Sequence, residues 1–260
     1  LVAKLAGKGT PLLLIHGAGN HSARWNLVSP LLEEDFRVYA MDRRGRGASE
    51  DGADYALERE FQDTVSMIDA IGPSVDVLGH SLGAICALEA ALRTHNIRRL
   101  ILYEPPIPID GPLIPAETLD RLDAMLEKGD RDGVLTTMML EIIQMPARDL
   151  ESLRNAPAWK DRLTLAHTLP RELRAVNDYR LNSERVRDLR TPTLLLLGGK
   201  SPSTFSAPIQ ALLATAPHSR KVTLEGQQHI AMDTAPQLFA DEVRNFLRAS
   251  FRDSEQASPR

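Results

Sequence analysis

Five residues, Gly79-His80-Ser81-Leu82-Gly83, place a serine hydroxyl where it could act as a nucleophile. The apolar residues Val75, Val77 and Leu78 lead into them and a helix-forming run, 84–92, follows directly. The serine therefore stands at the apex of a sharp turn from strand to helix. Such a turn brings backbone against backbone and leaves no room for a Cβ on either flank, which accounts for Gly79 and Gly83. It lifts the Ser81 hydroxyl clear of the sheet edge and sets the N–H groups of the helix start beside it, where an oxyanion could be stabilised. A hydroxyl attacks a carbonyl only if a base takes its proton, so the pattern calls for an imidazole elsewhere in the chain and a carboxylate to orient it.

The elements that must bring these groups together follow in order. Residues 1–5 read as the end of a strand, and Gly7-Lys8-Gly9-Thr10-Pro11 as a turn into the apolar strand 12–15. That strand ends at His16-Gly17-Ala18-Gly19-Asn20, before a predicted helix carrying Trp25, Leu27, Val28, Leu31 and Leu32. The glycine-rich turn lacks both Gly-Lys-Ser/Thr and G-x-G-x-x-G, which argues against nucleotide binding. Strand 36–41 closes on Asp42-Arg43-Arg44-Gly45-Arg46-Gly47-Ala48-Ser49. Its arginines are expected to support the mouth of a site by packing and salt bridging, with binding of an anionic substrate as the alternative. A helix over 55–71, with Leu57, Phe61, Val65 and Ile68 at helical spacing, stops at Gly72-Pro73.

Past the serine turn, strand 97–103 runs into Glu104-Pro105-Pro106. From 107 to 190 the strand–helix alternation lapses into prolines and then amphipathic segments near 116–128, 132–144, 147–154, 159–169 and 171–182. An inserted helical cap is the expectation. The pattern resumes with strand 191–199, a helix over 206–215, strand 220–224, the loop Glu225-Gly226-Gln227-Gln228-His229 and an amphipathic helix through Leu238, Phe239, Val243, Phe246 and Leu247. Four-residue apolar runs separated by helices indicate parallel strands buried on both faces. The predicted fold is α/β, a mostly parallel doubly wound sheet, with a core over 1–106 and 191–251, a cap over 107–190 and a frayed polar tail at 252–260. Right-handed crossovers put the carboxyl ends of the strands on one rim, so His16, Asp42, Ser81, Glu104, Gly199 and His229 should meet there.

At 260 residues the chain can bury a full core, and its net charge of −4 gives no reason to expect a nucleic acid or anionic membrane as partner. The single cysteine, Cys86, cannot form an intramolecular disulfide and reads as a small core residue. No run reaches the length of a membrane span and no signal-peptide pattern opens the chain, although its natural start is open. A soluble, cytoplasmic protein is expected, of unknown oligomeric state.

Together, His16-Gly17, the 42–49 loop, Gly79-His80-Ser81-Leu82-Gly83 and the late Gly226-Gln227-Gln228-His229 make nearly the whole chain resemble the α/β-hydrolase superfamily. The resemblance implies a nucleophile, acid, histidine order, an oxyanion hole of two backbone N–H groups, here those of Leu82 and Ala18, and neither cofactor nor metal. His229 becomes the base, since the family keeps its histidine near the last helix. Most members carry an Asp three positions after the glycine ending the penultimate strand; here that position is Ser201, and 200–206 holds no carboxylate. A serine brings no charge to stabilise an imidazolium. Glu104 is the expected substitute, because some lineages keep their acid after the strand that follows the elbow helix. Asp233 is the runner-up, more simply a cap on the last helix.

The expectation is a serine hydrolase acting on carboxylic esters, thioesters or lactones of small to medium apolar acyl groups, with a small-molecule substrate as its partner. Gly17, His21, Trp25, Met138, Met139, Ile142 and Trp159 are the pocket candidates, with Ile143 and His167 beside them. His16 and His80 flank the motifs, and His95 and His218 look superficial. Hydrolysis of a carbon–carbon bond or an amide, or acyl transfer, stays open with the same triad, as does a hydrolase-fold binding protein without turnover. An aspartate nucleophile, as in dehalogenases and epoxide hydrolases, is disfavoured by Ser81.

Overall fold

The computed structural model describes residues 1–52, 54–156 and 158–249. The expected tail at 252–260 lies outside them. Seven strands form one sheet: β1 (Val2–Ala6), β2 (Thr10–Ile15), β3 (Phe36–Asp42), β4 (Val75–His80), β5 (Ile97–Tyr103), β6 (Thr193–Gly198) and β7 (Ser219–Leu224). Their spatial order is β1-β3-β2-β4-β5-β6-β7, with β1 antiparallel to β3 and every other pair parallel. The apolar runs sort by alternation, as a pleated strand requires. Leu13, Ile15, Leu195 and Leu197 pack on one face, beneath the helices Leu57–Ile71, Leu82–Ala91 and Ser203–Thr215. Leu12, Leu14, Leu194 and Leu196 pack on the other, with Trp25 and the helix Pro236–Arg248. The buried Cys86 belongs to the first of these cores.

Between β5 and β6 the regular elements among the described residues are all helical, around a third core of residues such as Ile114, Leu122, Leu135, Trp159 and Leu169. Two expectations of continuous helix are corrected. After Asn20 the chain makes a 3₁₀ turn, Ser22–Trp25, and a single α-turn, Ser29–Leu32. Pro30 has no N–H to give a preceding carbonyl, so it fits only in a first helical turn. The segment expected as one helix over 132–144 is α-helical over Arg131–Thr137 and then opens into a π-turn, Met138–Ile142, in which the Ile143 N–H donates to Met138 O at 2.9 Å. Among the described residues, no helix is long and apolar enough to cross a membrane.

Candidate active site

Ser81 has φ 54° and ψ −127°, a conformation that residues with a Cβ rarely adopt. Its neighbours hold it there. The Ser81 N–H donates to Tyr103 O at 2.9 Å, and Ser81 O accepts from the Ala84 N–H at 2.8 Å. The flanking glycines are spatial necessities: a Cβ on Gly79 would lie 2.3 Å from Gly83 O, and one on Gly83 would lie 2.4 Å from Ile15 O. Leu82 is the first residue of the following helix, so its N–H has no acceptor four residues back.

Glu104 is the first residue past β5 and also has a positive φ, 47°. Pairing of Tyr103 with Leu196 sets it level with the end of β6. Its carboxylate is fully buried and both oxygens are used: Oε1 accepts from the Gly198 N–H at 2.7 Å, and Oε2 accepts from His229 Nδ1–H at 2.6 Å. The imidazole is restrained further. Phe205 stacks on it with centroids 4.2 Å apart and planes 19° from parallel, and His80 Nε2–H donates to His229 O at 2.9 Å. The Tyr103 hydroxyl ties the same loop, donating to Gln228 O and accepting from the Ala231 N–H at 3.1 Å. With Nδ1 protonated, His229 keeps its lone pair on Nε2. Ser201 stands beside Gly198 with its hydroxyl buried and unpartnered among the described residues.

The loop after β2 is held as firmly. His16 Nδ1–H donates to Gly17 O at 2.8 Å while Nε2 accepts from the Arg43 N–H at 3.2 Å. Burial, with the Arg43 charge, pushes the His16 pKa well down and keeps the ring neutral. Arg43 Nη2 also donates to Gly17 O, at 3.0 Å. In a trans peptide the C=O and N–H point in opposite directions, so anchoring Gly17 O on this side turns the Ala18 N–H away from it. Behind the loop lies a fully buried charge cluster. Arg43 meets Glu60 at 2.8 Å and Glu172 at 2.5 Å, Arg46 meets Glu172 at 2.6 Å, and the Gly19 N–H donates to Glu172 Oε2 at 3.0 Å. Burial opposes the Glu172 charge, but the Arg46 and Arg43 guanidiniums prevail and hold its carboxyl well below the usual range. Arg43 and Arg46 are thus packed and paired as expected, though inside the protein; Arg44 pairs with Asp63 at 2.6 Å.

Two cavities open beside Ser81 and His229, and Ala18 and Met138 line both. One is apolar, reaching Leu113, Ile114, Ile142, Val176 and Phe205. The other is lined by Gly17, Asn20, Met139, Leu169, Arg24 and Arg162. Four pocket candidates lie elsewhere. Trp25 is fully buried in the core, 6.4 Å from Phe239 between ring centroids, and lines neither cavity. Trp159 turns its Nε1–H to Asp132 at 3.0 Å, within the helical insertion. His21 lines neither cavity and faces Asp161 at 4.0 Å; the exposed His167 binds Thr164 O. Asp233 does not cap the last helix: its carboxylate pairs with Arg24 at 2.5 Å and lies 3.4 Å from Arg162. Among the described residues no group of three or more His, Cys, Asp or Glu is placed to hold a metal ion.

Phe205, Arg24 and Arg162 are the site residues that the sequence reading missed. Arg162 did leave a trace, since it falls at the three-residue spacing of Trp159 and Leu165, the buried stripe of its helix.

Comparison with known proteins agrees with the architecture. A family model described as the alpha/beta hydrolase family matches residues 12–242. An N-formylmaleamate deformylase of Pseudomonas putida is 35% identical over 108 residues, so the match spans only 40% of this chain and 40% of that protein's length. A pimeloyl-[acyl-carrier protein] methyl ester esterase of Photobacterium profundum is 27% identical over 252 residues, 93% of this chain and 96% of that one. The crystal structure of an alpha/beta hydrolase from Sphaerobacter thermophilus is similar at a TM-score of 0.83 and 35% identity, covering 95% of each chain. The chain belongs to the alpha/beta hydrolase family.

Proposed function

We propose that this protein is a serine hydrolase that cleaves carboxylic esters, thioesters or lactones through an acyl-enzyme, with Ser81, His229 and Glu104 as its triad. The observation that carries the reading is the Glu104 carboxylate, which spans the Gly198 N–H and His229 Nδ1 at 2.7 and 2.6 Å. That bond selects the tautomer with a free Nε2, the one able to accept the Ser81 proton, and it stabilises the imidazolium that results. Ser81 Oγ bonds to the carbonyl carbon as its proton passes to His229 Nε2. The carbonyl π electrons move to oxygen, where the Leu82 and Ala18 N–H groups receive the charge. Their collapse expels the alkoxide or thiolate, which takes the proton back from His229. A water then gives its proton to Nε2 and attacks the acyl carbon, and a second collapse releases the acid and restores Ser81.

The helical insertion serves as the cap over this site, its Met138, Met139 and Ile142 forming part of the roof. Their apolar surface favours an apolar chain next to the scissile carbonyl. The test is turnover of p-nitrophenyl acetate and butyrate, with fluorophosphonate labelling. Wild type should turn over and be labelled at Ser81, and Ser81→Ala should lose about a thousandfold or more in kcat. Absence of both turnover and labelling in the wild-type protein would sink the reading.

A further inference from the structure

The second cavity beside Ser81 has an uncompensated charge in its lining. Arg24 comes from the 3₁₀ turn after the Gly17–Gly19 loop and Arg162 from the insertion helix Ala158–Leu165; their side chains are 3% and 6% exposed. One carboxylate serves both. Asp233 takes Arg24 Nη1 at 2.5 Å and stands 3.4 Å from Arg162 Nη2, while Arg24 Nη2 points at the Met232 sulfur. Arg162 Nε and Nη1, and Arg24 Nε, have no hydrogen-bond partner among the described residues. Two guanidiniums against one carboxylate leave one net positive charge under cover.

Among the described residues nothing else lining the cavity neutralises it. The lining contains no acidic side chain; its other polar groups are Asn20, Ser81 and the rings of His80 and His229. Burial, aided by the neighbouring His229 and Arg24, pushes the His80 pKa well down, so that ring brings no charge of its own. Burial and the repulsion of Arg24 lower Arg162 to about 10, which leaves it protonated at neutral pH. A buried guanidinium with unused N–H donors is costly unless an anion completes it. The apolar cavity beside Ser81 has no arginine or lysine in its lining among the described residues, and the one carboxylate there, Glu141, pairs with Arg121 at 2.6 Å.

We infer that Arg162, with Arg24 beside it, forms a carboxylate subsite, so that the substrate is an ester bearing a carboxylate on one side of its scissile carbonyl and an apolar group on the other. The inference deepens the serine hydrolase reading and rests on it for the identity of the cavity as a substrate site. A guanidinium suits this task because its donors are fixed in a plane and its charge persists at any physiological pH.

The test reads binding separately from turnover. Monomethyl succinate, glutarate and adipate, each a single anion, are titrated calorimetrically into the Ser81→Ala protein against their neutral dimethyl esters. At least one monoanion should bind about tenfold or more tightly than its diester, as a charged hydrogen bond inside a cavity would give. In the Ser81→Ala/Arg162→Met protein that preference should vanish, and Arg162→Lys should retain part of it. Equal affinity for monoanion and diester, no binding of any monoanion, or a preference that survives Arg162→Met would each overturn the subsite. If Arg162→Met does not fold, the anion-to-diester comparison and the Arg162→Lys variant still decide it. Hydrolysis of the same esters by wild type separates the two readings. Turnover without charge preference refutes the subsite alone, and Arg162-dependent binding without turnover refutes the hydrolase alone.

Discussion

The His229 imidazole is fixed on three sides: a carboxylate at Nδ1, a histidine N–H at its own carbonyl, and the Phe205 ring against its face. The stacking residue should matter to rate as well as to pocket shape. Phe205→Ala frees the ring to tilt away from Ser81, and kcat for a p-nitrophenyl ester is expected to fall roughly ten- to a hundredfold, the effect of a small misplacement of a reacting group. A change confined to KM would mean that Phe205 only lines the cavity. Residue by residue, the sequence was readable where chemistry narrows the choice. Ser81 stands in a turn that two glycines permit, and the lack of a carboxylate between Lys200 and Ser206 directs attention to Glu104. Phe205 gives no such signal, because an uncharged ring in that stretch does not bear on where the carboxylate lies. Arg162 left little trace because its carboxylate neighbour, Asp233, is 71 positions away.

Among the elements, the elbow and the loop after β2 are built by close approach. A methyl group on Gly83 would meet Ile15 O at 2.4 Å and His16 O at 2.5 Å, both backbone atoms with little freedom to yield. Gly83→Ala is therefore expected to destabilise the fold by about 1–3 kcal/mol in denaturant unfolding, the usual consequence of overpacking. Loss below 0.5 kcal/mol, a figure on the order of an ordinary surface substitution, would show that the turn can relax. The charge cluster behind the loop gives a second check. Glu172→Gln removes the anion shared by Arg43 and Arg46 but leaves an amide oxygen for the Gly19 N–H. Stability should drop by about 3–5 kcal/mol, since two buried guanidiniums are left with the single carboxylate of Glu60, and a neutral effect in urea unfolding would contradict the role given to the cluster. Apolar periodicity revealed most helices, but it did not reveal where Pro30 splits one or where the π-turn at Met138–Ile142 opens another. Both breaks are decided by backbone hydrogen bonding rather than by side-chain pattern.

For the molecule as a whole, the sheet was legible because its central strands β2, β5 and β6 are buried on both faces and so carry unbroken apolar runs. Strand order was not, and neither was the antiparallel edge strand β1, since pairing is set by contacts far apart in sequence. The helical insertion could be seen as a lapse in alternation, while the surface it offers to Ser81 depends on how its helices pack. Global stability should report the two buried motif histidines. His16 and His80 are held neutral in the folded protein, with pKa values well below the ordinary 6.5, by burial first and then by neighbouring positive charge. In the unfolded chain they take up protons as pH drops through that ordinary value, so their stabilising contribution is present above it and is lost below it. Unfolding free energy from denaturant melts is expected to fall below pH 6.5 by about 1.4 kcal/mol per pH unit for each histidine. A flat profile down to about pH 5.5, one unit below the ordinary histidine value, would mean that neither ring is kept neutral by the fold.

One measurement bears on the acid behind His229 most directly: kcat of Glu104→Gln on a neutral p-nitrophenyl ester, with fluorophosphonate labelling of Ser81 as the check that the site is intact. The amide that replaces the carboxylate could still accept from the imidazole or the Gly198 N–H, but it brings no charge to stabilise the imidazolium. A fall in kcat on the order of 10²–10⁴, with the fold retained, is the expected result. Activity within tenfold of wild type, about 1.4 kcal/mol in barrier, would contradict the assignment of Glu104 as the orienting acid.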